Sequence, residues 1–375
     1  MTRQPSEAES ARAVRVRGVR QRGPASPAAA ADLAGVAAAA WAVDGDAARA
    51  IRFALDTAPK LPMPGSGRTI ELFDALATVA AADLTAARVI EAHADALSIL
   101  HQAPAGSVPA GPSASAEASW GVFAAEGPAQ RLDATRQGDV WVLHGRKPWC
   151  SLAGSLSHAL VTAHTTPEGA TPAHRRLFAV DLRHPGVAVH DGAWVATGLT
   201  QVSSGPVDFA AVPAVPVGAD GWYLSRPGFS WGGIQVAACW WGGAVGVARR
   251  LRAAAGSREP DQIMRAHLGA IDLALAAAGA ALADAAAAID AGEAAGEAVG
   301  ADGSLLAARV RGLVARSVDE VLTRVGHALG PAPLALDARH ARRVADLTLY
   351  VRQHHAERDD AALGATLLDE ESTTW

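Results

Sequence analysis

Apolar positions recur in three- and four-residue steps from Leu72 through Leu76, Val79, Leu84, Ala87, Ile90, Ala94 and Leu97 to Leu100. That spacing predicts amphipathic helix with one buried face. Residues 31–112 therefore read as an N-terminal helical domain, interrupted by the loop Pro59 to Gly67 and followed by a Pro-, Gly-, Ser- and Ala-rich linker from Pro104 to Ser115. Residues 1–30 are polar, carry Arg, Ala and Pro, and predict a disordered tail. Between Ser119 and Gly218 the apolar runs shorten to strand length, with polar or Gly/Pro breaks between them. Gln137-Gly138-Asp139 between Arg131–Thr135 and Val140–His144 predicts a hairpin. No helical interval of useful length separates these strands, so the sheet should be mainly antiparallel. The helical period returns in four long candidates, Gly232 to Ala255, Gln262 to Asp290, Ser304 to Leu329 and Asp337 to His355. The expected fold is α+β, with an N-terminal helical domain (31–112), a middle antiparallel β-barrel or sandwich domain (113–222), a C-terminal helical bundle (223–360) and a tail (361–375).

Half of the 375 residues are apolar, but alanine supplies much of that, and ten Trp outnumber six Phe and two Tyr. Closely packed helices with tryptophan anchors follow from that bias. A net charge of −5 argues against a general nucleic-acid binder, which needs a basic face to displace counterions. Two cysteines, Cys150 and Cys239, make no disulfide framework, so a reducing cytoplasm is the expected compartment. The most apolar long run, Leu268 to Ile289, carries Asp272 and Asp284, and no membrane association is expected from it. The arginine-bearing start has no apolar core of a secretory signal before Pro24.

Four strings invite chemical readings. Gly228-Phe229-Ser230-Trp231-Gly232 has the G-x-S-x-G form of a hydrolase nucleophile elbow, but Arg226-Pro227 is a poor end for the buried strand such an elbow requires. This leaves a serine hydrolase as a remote reading. His354-His355-Ala356-Glu357-Arg358-Asp359-Asp360 concentrates metal-capable groups, yet lacks zinc-ligand spacing and reads first as a solvated helix end. Gly242-Gly243-Ala244-Val245-Gly246 follows no strand, and its small residues suit close helix packing rather than a dinucleotide turn. In Leu143-His144-Gly145-Arg146-Lys147-Pro148-Trp149-Cys150-Ser151 a strand end is followed by an indole and a hydroxyl two residues apart. Such a pair can cover a flat heteroaromatic ring and bond its edge, although a Trp-capped strand end has the same sequence.

The helical–β–helical order and several local strings resemble the acyl-CoA dehydrogenase flavoprotein superfamily over roughly residues 65–360. Leu143 to Ser151 is similar to the family's NGxKxWIT segment. Val180 to Val187 resembles its next strand and Pro-Gly turn, and Gly198 to Val217 the stretch that closes its β domain. Phe229 with Ala244 to Ala248 resembles the opening of its C-terminal domain. The resemblance implies FAD bound between the β domain and the bundle, with a second subunit completing the site in a homodimer or homotetramer. It places Trp149 beside the flavin and Ser151 near its N5. Phe123, Ala124 and Ala125 correspond to the strand whose backbone meets the ring.

The sequence also departs from that pattern. The family's TEPxAGSD loop is reduced to Ala125-Glu126-Gly127-Pro128-Ala129-Gln130, and Arg258 is the remaining candidate for a pyrophosphate contact. Arg342 and Asp346 fit the family's R-x-x-R-D string with Ala345 in place of its second Arg. Eight residues after Asp346, where the common catalytic Glu falls, stands His354. The alternative Glu location, Phe229 to Ala248, holds no carboxylate. Removing a weakly acidic α-proton requires a positioned base. The expectation is thus a FAD-dependent oxidoreductase that turns over no simple saturated acyl-CoA, with His354 as its acid–base group. The substrate is an acyl thioester or another small molecule. The alternatives are a flavin monooxygenase-like member or a non-catalytic subunit of the same fold.

Overall fold

Asp83 divides what the periodicity joins into one helix. Its carboxylate accepts the N–H of Ala86 at 2.9 Å and that of Gly45 at 2.9 Å, capping one helix where the previous one ends. The computed structural model describes residues 12–18, 27–104, 117–168, 174–257, 259–294 and 301–369. The N-terminal helices are α1 (Pro27–Trp41), α2 (Ala47–Thr57), α3 (Thr69–Ala82) and α4 (Leu84–Gln102). Within the stretch read as a tail, residues 12–18 lie against α3: Val14 N donates to Thr78 Oγ1 at 2.9 Å and Val16 N to Asp74 Oδ1 at 2.6 Å.

The middle domain contains β1 (Trp120–Phe123), β2 (Leu132–Gln137), β3 (Val140–Lys147), β4 (His158–His164), β5 (Arg175–Asp181), β6 (Val187–Val189) and β7 (Val207–Val217). The hairpin forms as the sequence predicts, with Gln137 opposite Val140. Pairings run β4–β5–β7–β3–β2 and return to β4, which closes a barrel. Most are antiparallel, but β1 lies parallel to β4, as does the short β2–β4 contact. β4 is buried on both faces: Ala159, Val161 and Ala163 face the main core, while Leu160 meets Ile99 and Ala96 of α4. That second contact seats the barrel on α4.

The C-terminal bundle comprises the short α5 (Trp222–Ser225), then α6 (Pro227–Ala255), α7 (Gln262–Ala294), α8 (Ala301–Leu329), α9 (Ala332–Leu336), α10 (Ala338–Tyr350) and α11 (Glu357–Asp369), with a 3-10 turn at Val351–Gln353. The fourth predicted helix starts where the sequence places it and ends early. Asp337 caps α10 by accepting His340 N at 3.1 Å, and the chain leaves the helical path at His354. The glycines of the 242–246 string do permit close packing. A Cβ on Gly242 would sit 2.2 Å from Ala77 O on α3. α7 is long and apolar enough to cross a membrane, by length and composition only. Its apolar window is mostly exposed, with Ile263 and Leu273 more than 60% accessible.

Candidate active site

Helix α4 is the shared wall between barrel and bundle. In a helix whose other positions are mostly buried and apolar, Arg88, Glu91 and Asp95 lie three and four residues apart, so they form one polar stripe. At the barrel end, Arg88 lines a narrow cleft with Gly121, Val122 and Phe123 of β1 and with Ser151. At the bundle end, Glu91 and Asp95 line a cavity of about 470 Å³ closed by α5, α6, α8 and the turn after α10. That volume lies within the range of roughly 300–1,000 Å³ usual for small-molecule sites. Ser304, Arg311 and Asp359 border both this cavity and a 270 Å³ arm between α8 and α11.

A continuous polar chain joins the cleft to the cavity. Ser204 Oγ lies 2.8 Å from Ser151 Oγ, and Arg88 Nη2 donates to Ser151 Oγ at 3.1 Å. Arg88 Nη1 donates to Glu91 Oε2 at 3.0 Å, and the Tyr350 hydroxyl donates to the same oxygen at 3.1 Å. Burial raises the Glu91 carboxyl above its ordinary value against the pull of Arg88, and burial likewise holds the Tyr350 phenol protonated. Burial also raises Asp95, to about 6, with Arg226 opposing. Arg311 is tied to two backbone carbonyls, Gly233 O at 2.9 Å and Gln353 O at 3.1 Å, and stands 4.7 Å over the Trp240 ring. Its guanidinium pins the 351–355 turn against α6.

The residues singled out in the sequence, Arg258 apart, have definite places. Trp149 is 61% exposed, and its backbone sits at φ 57°, a conformation rare for a bulky side chain. Ser151 is half-buried in the polar chain just described. Phe123 points into the barrel core, and only the backbone-proximal Ala124 and Ala125 approach the surface. Arg258 lies outside the described residues. His354 is buried beside Gly312 and borders the 270 Å³ arm, not the cleft that holds Ser151. Its Nδ1 accepts the Ala356 N–H at 3.2 Å, so the neutral ring carries its proton on Nε2, which lies 3.7 Å from Asp359. Burial lowers its pKa and favours that neutral ring. His355 is more than half exposed at the cavity mouth. No group of three or more metal-capable side chains that could hold an ion occurs among the described residues. Ser230 sits in the first turn of α6 and follows a short helix rather than a strand, which removes the nucleophile elbow. Glu91 and Asp95 are not among the residues the sequence points to, because the family's carboxylate positions fall in the C-terminal half. Their i, i+4 spacing on an apolar helix was the available signal.

No protein-family model matches the sequence, and no curated protein sequence does at a significant level. Solved structures do match. KijD3, crystallised with FMN and dTDP-3-amino-2,3,6-trideoxy-4-keto-3-methyl-D-glucose, is 20% identical and superposes with a TM-score of 0.75 over 96% of this chain and 98% of its own. The nitrososynthase of Micromonospora carbonacea var. africana is 18% identical, with a TM-score of 0.74 over 94% and 99% of the two chains. The chain has the acyl-CoA dehydrogenase fold. The dibenzothiophene monooxygenase TdsC of Paenibacillus sp. A11-2 shares that fold at 17% identity, with a TM-score of 0.67 over 89% and 98%. The three-part architecture expected from the sequence, helical, strand-rich and helical, is the one observed.

Proposed function

We propose that this chain is a cytoplasmic, flavin-dependent oxidoreductase that acts on a small polar molecule in the manner of a monooxygenase, and not a dehydrogenase of saturated acyl-CoA thioesters. The observation that carries this reading is the lining of the 470 Å³ cavity. Glu91, Asp95, Arg226 and Arg311 all border it. A hydrocarbon chain laid against these groups would strip water from them and return no hydrogen bond, at a cost of several kcal/mol. Neither carboxylate position used for α-proton removal is filled, and His354 presents an N–H, not a lone pair, to its cavity arm.

The residues around Trp149 fit a flavin. Backbone strain of about 1–3 kcal/mol is accepted there in order to hold an apolar indole in the open. A stacking platform for a flat ring needs that exposure, and a capping core residue does not. Trp149 would hold the ring face, with the Ser151 hydroxyl and the backbone of Ala124 and Ala125 at its edge. When bound, the flavin supplies the redox chemistry. The chain supplies orientation and proton handling. Arg88 and Tyr350 fix the Glu91 carboxylate at the cavity wall, and His354 Nε2 donates into the arm. Of the two flavins, FMN suits this chain better than the FAD expected from the resemblance. The shortened turn after β1 offers a carboxylate, Glu126, bonded to Lys147 Nζ at 2.6 Å, in place of donors for a pyrophosphate. KijD3 and TdsC were both crystallised with FMN. The exposed apolar face of α7 and the open Trp149 suit a second copy, in a homodimer or homotetramer.

Anaerobic mixing of the flavin-loaded protein with a panel of saturated acyl-CoAs tests the substrate class. No bleaching of the flavin is expected. Rapid bleaching with enoyl-CoA formation would overturn the reading.

A further inference from the structure

Asp95 stands one helical turn beyond Glu91 on α4 and faces the large cavity. Its Oδ1 is buried and accepts no hydrogen bond from any described residue. The nearest cation, Arg226 Nη2, stops 3.7 Å away. Arg226 cannot close that gap freely. Its Nη1 is held by Gln102 Oε1 at 2.7 Å, and its guanidinium lies 5.3 Å over the Tyr223 ring. The Arg226 Nε is likewise without a partner among the described residues. Buried polar atoms are nearly always paired, so a carboxylate that lines a cavity and whose buried oxygen has no donor marks a ligand's place.

The helix opposite is cut back to make room for Asp95. A Cβ on Gly232 would come within 3.0 Å of Asp95 Oδ1, and one on Gly233 within 3.4 Å of Arg311 Cδ. Two successive glycines inside a helix weaken it, and here their missing side chains make room for the Asp95 carboxylate and the Arg311 stem against α6. The apolar part of the cavity wall includes Phe229, Val236 and Ala307.

We propose that Asp95 is the specificity-determining residue of the cavity, receiving an O–H or N–H donor of a small substrate whose apolar body lies against Phe229, Val236 and Ala307. This rests on the reading of the cavity as a substrate site. Phenol and anisole are the probes, because they share a ring and differ in the donor. Calorimetric or NMR titration of the purified protein should show phenol bound about tenfold or more tightly than anisole, the ratio one hydrogen bond to an ionised group supports. Asp95→Leu should abolish the difference and leave anisole binding intact. Asp95→Asn, which keeps an acceptor oxygen, should retain part of it. Gly232→Ala should weaken phenol more than anisole, and it decides the matter if Asp95→Leu fails to fold. Equal binding of the two probes by the unmodified protein, binding of neither, or a preference that survives Asp95→Leu overturns the proposal and leaves a water-filled void. The visible spectrum of the same samples separates the two claims. Colourless protein that still discriminates sinks the flavin reading alone, and flavin-loaded protein that does not discriminate sinks the Asp95 assignment alone.

Discussion

Removing Glu91 should destabilise the protein more than removing its partner Arg88, although both lose the same ion pair. The pair is 3.0 Å apart, with side chains 15% and 9% exposed, so solvent screens it little. Deleting one member of such a pair strands the other, at about 3–5 kcal/mol. The stranded groups differ. In Glu91→Leu the guanidinium of Arg88 cannot shed its proton, and its remaining partners are Ser151 Oγ and the face of Tyr350, 5.9 Å away. In Arg88→Met the Glu91 carboxyl, already raised by burial, takes up a proton and keeps the Tyr350 hydroxyl. That escape caps its cost, and Glu91→Leu should exceed Arg88→Met by about 1 kcal/mol or more. The double variant Arg88→Met/Glu91→Leu should cost less than the sum by about 2–4 kcal/mol, since it strands neither charge. Urea titrations at pH 7, read by the fluorescence of the ten tryptophans, measure all four proteins. Costs that add to within about 0.5 kcal/mol would refute a coupled buried pair. So would an Arg88→Met variant less stable than Glu91→Leu.

Three further outcomes follow from the same geometry. Trp149→Ala should weaken flavin retention more than Trp41→Ala, whose indole lies 3.6 Å beneath Arg339, far from the cleft; equal occupancy in both would count against Trp149 as platform. Gly242→Ala should lower stability by about 1–3 kcal/mol, because the added methyl meets Ala77 O across the α3–α6 contact, and an unchanged thermal midpoint would contradict that contact. His93 is buried, accepts Trp120 N at 3.2 Å, and has its pKa lowered to about 4 by burial. The unfolded chain therefore binds the proton first as pH falls below about 6.5, and His93 withdraws on the order of 3 kcal/mol of stability by pH 4. A His93→Gln variant should show a flatter loss of stability over that window, and an unchanged slope would show the histidine to be accessible.

The strand run, the hairpin at Gly138 and the bundle were legible because local period and turn chemistry set them. The boundaries that failed depend on contacts far away in sequence. Asp83 ends one helix by capping the next and by holding Gly45, a residue 38 positions earlier. The parallel β1–β4 pairing arises because a distant α4 seats both strands, and no spacing announces it. At the candidate site, the strand end was enough to single out Trp149, which is exposed, and Ser151, which is half-buried. His354 could be found only by counting, and counting carried no information about the Ala356 N–H that fixes its tautomer. Glu91 and Asp95 come from the helical domain, and they become cavity residues only once α4 is laid between barrel and bundle.

The proposed function stands or falls on a flavin held against Trp149 and Ser151. Purification followed by a visible spectrum and mass spectrometry of the released small molecule tests it most directly. A yellow protein that releases one flavin per chain, FMN and not FAD, is expected. A colourless protein that quenches the fluorescence of neither added FMN nor added FAD would contradict it.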